Sequence, residues 1–272
     1  MSGAVMQLAW GAATDRGRKR RENEDSYVAR PPVFFVADGM GGHEAGAHAS
    51  AAAISAIGAL AGRPSVSLQD LEVAFAAAVD GVRAIRSERA APGTTITGVA
   101  VSEQGGGGYW LVMNIGDSRT YLRSSGRTTQ VSVDHSAVQA LIDSGAIGPE
   151  EAATHPERSV ITRAVGAGSE AQPDFWMLPA LRGDRLLACS DGLTKELDAE
   201  RIDRALAEER DPQAAADRLV AEALAHGGRD NITVVVVDAV GVAADDDDPT
   251  LPTGIHAVDD DTRPRSELLE GA

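Results

Sequence analysis

The stretch Val33-Phe-Phe-Val-Ala-Asp38-Gly-Met-Gly-Gly-His43 sets five apolar residues directly against an acidic, glycine-rich segment. An unbroken apolar run of that length, rich in β-branched and aromatic residues, reads as a hydrophobic strand that meets a turn at Asp38. A carboxylate at its end is held by the sheet yet projects into whatever the next loop lines. Glycine right after it lets the backbone turn and offer its own carbonyl to the same space. The arrangement recurs twice: Leu186-Leu-Ala-Cys-Ser leads into Asp191-Gly192, and Arg229-Asp230-Asn231 immediately precedes Ile232-Thr-Val-Val-Val-Val. Carboxylate and carbonyl oxygens suit hard cations such as Mg²⁺ or Mn²⁺ rather than zinc or copper. A single Asp-Gly pair is an ordinary turn. If Asp38, Asp191 and Asp230 converge, each pair of charges about 4 Å apart repels by about 4 kcal/mol at an effective dielectric near 20, and a cation or a proton must compensate.

Working outward, strands are expected at 33–37, 95–101, 109–115, 120–123, 185–188 and 232–238. Glycines 105–108 join the second to the third, and the turn 116–119 joins the third to the fourth, which predicts a continuous β-meander. Helices are expected at 45–60, 68–87, 199–208 and 212–226. The second would enter through Ser67 as N-cap with Asp70 in its first turn, and the last is bracketed by Asp211, Pro212 and Gly227. Helices in pairs between blocks of hairpin-linked strands favour an α+β fold of antiparallel sheets. Residues 136–162 are polar with short helical pieces and are expected to form a flap outside the sheets.

The chain has 272 residues, 43% of them hydrophobic, enough for one large core or two small ones without disulfide or structural metal. The net charge of −16 excludes nucleic acid and anionic membrane as main partners, since both demand a basic face. No apolar run is long enough to span a bilayer, and the N-terminus carries no secretory pattern. The single cysteine, Cys189, fits a reducing compartment, so a cytoplasmic location is expected. From Gly241 onward nine acids face two arginines among scattered prolines, so a domain over 1–240 followed by a disordered acidic tail over 241–272 is expected.

The order and identity of the polar motifs add a resemblance. Thr14-Asp15, Gly17, Arg20 and Asn23-Glu24-Asp25 come first, then Asp38 to His43 and Gly93-Thr94-Thr95. Gly116-Asp117-Ser118-Arg119, Asp134-His135-Ser136, Ser190-Asp191-Gly192 and Asp230-Asn231 follow. Over residues 8–240 this set resembles the protein phosphatase 2C-type family of metal-dependent phosphatases. The resemblance implies a four-layer α-β-β-α sandwich of two antiparallel sheets flanked by helix pairs, with two Mn²⁺ or Mg²⁺ ions at one edge. It implies that Asp38 bridges both metals, that Gly39 gives its carbonyl to one, and that Asp191 and Asp230 ligate the other. Glu24 resembles the acid that holds a water of the centre, with Asp25 behind it, and Asp117 with Asp191 resembles the holder of a looser third metal. Arg20 resembles the clamp on substrate phosphate and His43 the general acid that protonates the leaving oxygen. Thr95 and Asn231 match supporting positions, and Asp134, His135 and Ser136 match flap anchors.

The expected activity is hydrolysis of phosphoserine and phosphothreonine monoesters in proteins, opposing a bacterial serine/threonine protein kinase, by a monomer. Two alternatives stand beside it: a non-catalytic regulatory module on the same fold, and a phosphatase dedicated to one partner-switching protein. Other phosphatase chemistries are excluded. Six residues after Cys189 stands Lys195 instead of the arginine a cysteine phosphatase needs, and neither Asp38-Gly-Met nor Asp191-Gly-Leu has the second aspartate of an aspartyl-phosphate enzyme. No Walker loop occurs, and Gly39-x-Gly41 meets Glu44 where a dinucleotide fingerprint needs glycine.

Overall fold

The computed structural model describes residues 5–41, 44–87, 91–166 and 171–243. In chain order the first strands are β1 (Met6–Asp15), β2 (Asp25–Arg30), β3 (Val33–Met40), β4 (Gly93–Thr94), β5 (Ile96–Gln104) and β6 (Gly107–Ile115). They are followed by β7 (Arg119–Ser124), β8 (Arg127–Gln130), β9 (Val165–Gly166), β10 (Asp174–Pro179), β11 (Arg185–Cys189) and β12 (Ile232–Val242). The helices are α1 (Glu44–Gly58), α2 (Leu68–Arg83), α3 (Ala137–Asp143), α4 (Pro149–Thr154), α5 (Asp191–Thr194), α6 (Ala199–Glu208) and α7 (Pro212–His226).

Period-two alternation along the central strands distributes the apolar residues among three cores. Phe34 and Val36 of β3 meet Trp110, Val112, Leu186 and Val235 between the two sheets. Val33, Phe35 and Ala37 point the other way, onto Ala53 and Ile57 of α1 and Leu71 and Phe75 of α2. In β12, Val235 and Val237 join the inter-sheet core while Ile232, Val234 and Val236 pack with Leu206 of α6 and Leu219 of α7. Strands covered on both faces read as the continuous apolar runs seen in the sequence. The result is helices, sheet, sheet, helices: the four-layer α-β-β-α sandwich expected above.

One sheet runs β1-β12-β11-β7-β8, and the other runs β10-β6-β5-β3-β4-β9 with β2 also on β3. All of these pairings are antiparallel. The expected helices form, and their caps match: Ser67 and Asp70 make a reciprocal capping box, Asp211 caps α7, and Gly227 ends it at φ 151°. Among the described residues no helix is long and apolar enough to cross a membrane.

Four expectations are corrected. The predicted meander breaks at 116–118, because β6 and β7 lie in different sheets and this link crosses between them. Asp38 does not end its strand; β3 continues through Met40 and changes partner, from β5 at Val36 to β4 at Gly39. Asp191-Gly192 opens the single helical turn α5 rather than a plain turn. The flap segment carries α3 and α4, as expected, and a bridge between Ser136 and Ile161 closes its base. Of the acidic tail expected over 241–272, Gly241 and Val242 instead end β12, paired with Gln7 and Met6. From residue 244 onward the tail, and with it the expected disorder there, lies outside the described residues.

Candidate metal centre

Five aspartates from five segments meet at one end of the two sheets. Asp25 opens β2 opposite Asp38; Asp117 sits on the β6–β7 crossover, Asp191 follows β11, and Asp230 precedes β12. The strand change at Asp38 is held by threonines. The Asp38 amide donates to Thr95 Oγ1 at 3.0 Å, its carbonyl accepts from the Thr95 amide and from Thr94 Oγ1, and Thr95 Oγ1 meets Ser118 Oγ at 2.7 Å. Thr95 thereby ties Asp38 to the loop that carries Asp117. Gly39 donates to the Glu24 carbonyl, and a Cβ there would fall 2.2 Å from the Gly46 carbonyl oxygen, so only glycine fits.

Asn231 braces the opposite wall. Its Nδ2 donates to the carbonyls of Arg16 and Glu22, and its Oδ1 accepts from the Glu24 amide at 2.9 Å. The loop bearing Arg20 and Glu24 is thus tied to the start of β12. Ser190 Oγ donates to Asp25 Oδ2 at 2.8 Å. At the flap base, Asp134 takes a bidentate pair from Arg119. Buried His135 accepts from the Gly116 amide through Nδ1 and meets Asp174 through Nε2, and Ser136 caps α3. His155 caps α4 within the flap and is no part of the acidic cluster. His43 lies outside the described residues.

Burial and mutual repulsion shape the electrostatics. Asp38 is half-buried and held well above the ordinary carboxylate range, first by desolvation and then by Asp25, Asp191, Asp117 and Asp230. Asp25 and Asp117 are pushed up to about 7, each mainly by burial, with Asp191 the first acidic neighbour to add to it. Asp191 is raised by burial although Lys195 opposes the shift. Asp230 goes the other way: burial pushes it up, but Lys195 and Arg20 outweigh that and hold it below the usual value. Arg20 grips Asp230 from the solvent side, Nε on Oδ1 at 2.8 Å and Nη2 on Oδ2 at 2.9 Å.

The donor set fits hard divalent cations. One oxygen each of Asp25, Asp117 and Asp191 is buried without a hydrogen-bond partner, an unfavourable state for a carboxylate unless charge compensates it. Among the described residues, however, no three acidic or imidazole side chains stand ready-made around one point. Lys195 Nζ lies between Asp191 and Asp230, 2.5 and 3.0 Å from their Oδ2 atoms. The sequence reading missed Lys195; its signal was a position four residues after Asp191, one helical turn on. A cavity of about 420 Å³ lies at the other end of β11 and β12, lined by Arg123, Arg182, Arg185 and Arg210 among others, and holds none of the five aspartates.

The family model for protein phosphatase 2C matches residues 18–226, which include Asp25, Asp38, Asp117 and Asp191; Asp230 lies four residues beyond the match. The chain belongs to the protein phosphatase 2C family. The serine/threonine protein phosphatase PstP of Mycobacterium tuberculosis is 38% identical over 276 aligned residues, covering 93% of this chain and 51% of that relative. This chain therefore spans about half the length of that curated relative. A crystal structure of the Mycobacterium tuberculosis phosphatase PstP/Ppp superposes with a TM-score of 0.80 at 40% identity, covering 86% of this chain and 99% of that one. A structure of the PstP catalytic domain in complex with two manganese ions gives a TM-score of 0.76 at 38% identity, covering 86% and 99%.

For this protein phosphatase 2C chain the acidic cluster sets a pH dependence with a definite sign. Asp25 and Asp117 keep their protons up to about pH 7 when folded, whereas in the unfolded chain they release them near 3.9. The folded state then binds more protons, so this stabilisation is complete below the unfolded value and lost as pH rises through about 7. Asp230, held down, acts only below its ordinary value and outside this window. In EDTA, stability is expected to fall between about pH 4 and 7, by up to about 1.4 kcal/mol per pH unit for each group. Urea midpoints at pH 5, 6 and 7 check this, and a midpoint rising across that range contradicts it.

Proposed function

We propose that residues 1–240 form a phosphatase domain that hydrolyses phosphoserine and phosphothreonine monoesters in proteins with two Mn²⁺ or Mg²⁺ ions. The observation that carries this reading is the buried aspartate cluster with three partnerless carboxylate oxygens and Arg20 at its solvent side. Asp38, Asp191 and Asp230, with the Gly39 carbonyl, would hold the ions, Glu24 would act through water, and Asp117 would add an outer ligand. Bound there, the ions supply positive charge that offsets that of the phosphate and acidifies water.

The chain's own residues supply the rest. Arg20 presents a planar fork that matches two phosphate oxygens, and it exchanges its pair with Asp230 for the substrate. His43 protonates the departing serine or threonine oxygen, a poor leaving group without a proton. Thr95 and Asn231 keep Asp38 and the Arg20 loop in register, and Asp134, His135 and Ser136 fix the root of the flap. The natural substrates are phosphorylated proteins, among them serine/threonine protein kinases, and the enzyme acts as a cytoplasmic monomer in signalling.

The test is hydrolysis of an aryl phosphate and a phosphothreonine peptide, with Mn²⁺ and with EDTA. Metal-dependent turnover of both is expected; a folded sample inactive with either Mn²⁺ or Mg²⁺ would return the non-catalytic module or the single-substrate enzyme to first place. His43→Ala is expected to slow the peptide by on the order of 10²-fold or more and the aryl phosphate far less, because its leaving group needs little help. Equal losses on both substrates would remove the acid role.

A further inference from the structure

Of the 25 basic residues in the chain, 23 are arginine; the lysines are Lys19 and Lys195. Lys195 stands at the C-cap of α5, four residues after Asp191. Its ammonium contacts two carboxylates from different segments, Asp191 beside it and Asp230 ahead of β12. Both are largely withdrawn from solvent, with side-chain exposures of 14% and 16%. An exposed i,i+4 pair contributes little, but here the same nitrogen also reaches Asp230, which is remote in sequence and well shielded. An ammonium is a compact point charge that fits between two such oxygens, where a planar guanidinium would need an edge-on approach.

We propose that Lys195 is a built-in counter-ion that competes with divalent cations for Asp191 and Asp230, and so sets the metal concentration at which the site loads. The proposal rests on the reading of these carboxylates as metal ligands. Lys195 Nζ engages Oδ2 of both, and Arg20 engages both oxygens of Asp230. A divalent ion drawing on those oxygens must therefore displace the ammonium or share them with it. The Lys195 side chain is 37% exposed, so it has a way out along its flexible stem. The buried Asp191 Oδ1, which has no partner, stays open to a cation throughout.

The experiment is calorimetric titration of Mn²⁺ into metal-stripped wild type, Lys195→Met and Asp38→Asn proteins at one pH. Lys195→Met keeps the length of the side chain and removes its charge. It is expected to bind Mn²⁺ about tenfold more tightly, roughly what one charge-assisted hydrogen bond amounts to, while its metal-free form melts at a lower temperature. Equal or weaker Mn²⁺ affinity in a folded Lys195→Met protein overturns the proposal. If that variant does not fold without metal, amine acetylation of the wild type read by mass spectrometry replaces it. Lys195 is then expected to react faster in Mn²⁺ than in EDTA, with exposed Lys19 as internal reference, and an unchanged ratio overturns the proposal. Failure of the metal reading is distinguishable: wild type taking up no more Mn²⁺ than Asp38→Asn removes both ideas, whereas normal wild-type uptake with an unaltered Lys195→Met removes only this one.

Discussion

Asp38→Asn is expected to abolish metal-dependent hydrolysis while raising the melting temperature of the metal-free protein. Asp38 is half-buried among four other carboxylates, and desolvation together with their charge drives its affinity for a proton up. Asparagine keeps the volume and the backbone bonds to Thr94 and Thr95, because those use the Asp38 amide and carbonyl and not its side chain. What it removes is one acid that repels its neighbours by about 4 kcal/mol per pair at 4 Å and a dielectric near 20 when ionised. Part of that is already relieved by protonation, so a gain of about 1–2 kcal/mol is a reasonable scale, or several degrees in melting temperature. With Mn²⁺ present the sign reverses. The wild type gains stability from the ions with the logarithm of their concentration over Kd; the variant does not, and turnover falls by on the order of 10³-fold or more, since several kcal/mol of charge compensation are lost. Differential scanning fluorimetry with EDTA and with Mn²⁺, beside an aryl phosphate assay, decides it. A variant less stable than wild type in EDTA, or one that keeps Mn²⁺-dependent turnover, contradicts the assignment of Asp38.

The sequence announced the parts of this fold that rest on short-range physics. Strands covered on both faces, such as β3 and β12, are continuous apolar runs, and capped helices such as α2 and α7 carry their own boundary signals. It gave no comparable signal for β1, β2, β8 and β10. β1 and β2 are mostly half-buried, with small or charged side chains between the apolar ones, and pair with strands that give them their place. β8 is Arg-Thr-Thr-Gln with no apolar residue, and β10 is a short apolar run over 175–178 whose partner β6 is remote in sequence. The crossover at 116–118 was misread for the same reason: a glycine turn between two strands looks the same whether the chain folds back in one sheet or passes to the next. Of the candidate site, the acidic positions were legible as a pattern, and the meeting of Asp25, Asp38, Asp117, Asp191 and Asp230 follows only from the sandwich. Lys195 was invisible as a partner because its second carboxylate, Asp230, lies 35 positions away. The bracing role of Asn231 came from motif identity; the bonds that explain it reach back to Arg16, Glu22 and Glu24.

The closest packing between the two carboxylate-bearing segments of the five-stranded sheet leads to the second large effect, at Gly192. A Cβ on Gly192 would lie 1.9 Å from the Asn231 carbonyl oxygen and 2.9 Å from its carbon, both backbone atoms with no rotamer to give way. Either α5 or the start of β12 must shift, and Asp191 and Asp230 ride on those two segments. Asn231 cannot move without loosening the loop of Arg16 to Glu24 that it holds. Gly192→Ala is therefore expected to cost about 3 kcal/mol, the upper end for overpacking a tight site, and to lower turnover with Mn²⁺ by on the order of 10²-fold, as displaced ligand geometry does. Gly81→Ala is the control that separates this from a generic glycine effect. Gly81 lies inside α2, where the nearest atom to a new Cβ is the Ala52 Cβ at an ordinary 3.6 Å. The same methyl there removes backbone freedom from the unfolded chain and is expected to stabilise by about 0.5–1 kcal/mol with activity unchanged. Urea midpoints and Mn²⁺-dependent turnover of the two variants should thus move in opposite directions for stability and diverge for activity. If Gly192→Ala folds within about 0.5 kcal/mol of wild type, the range of an ordinary surface change, and still turns over substrate normally, the contact between α5 and β12 does not set the spacing of Asp191 and Asp230.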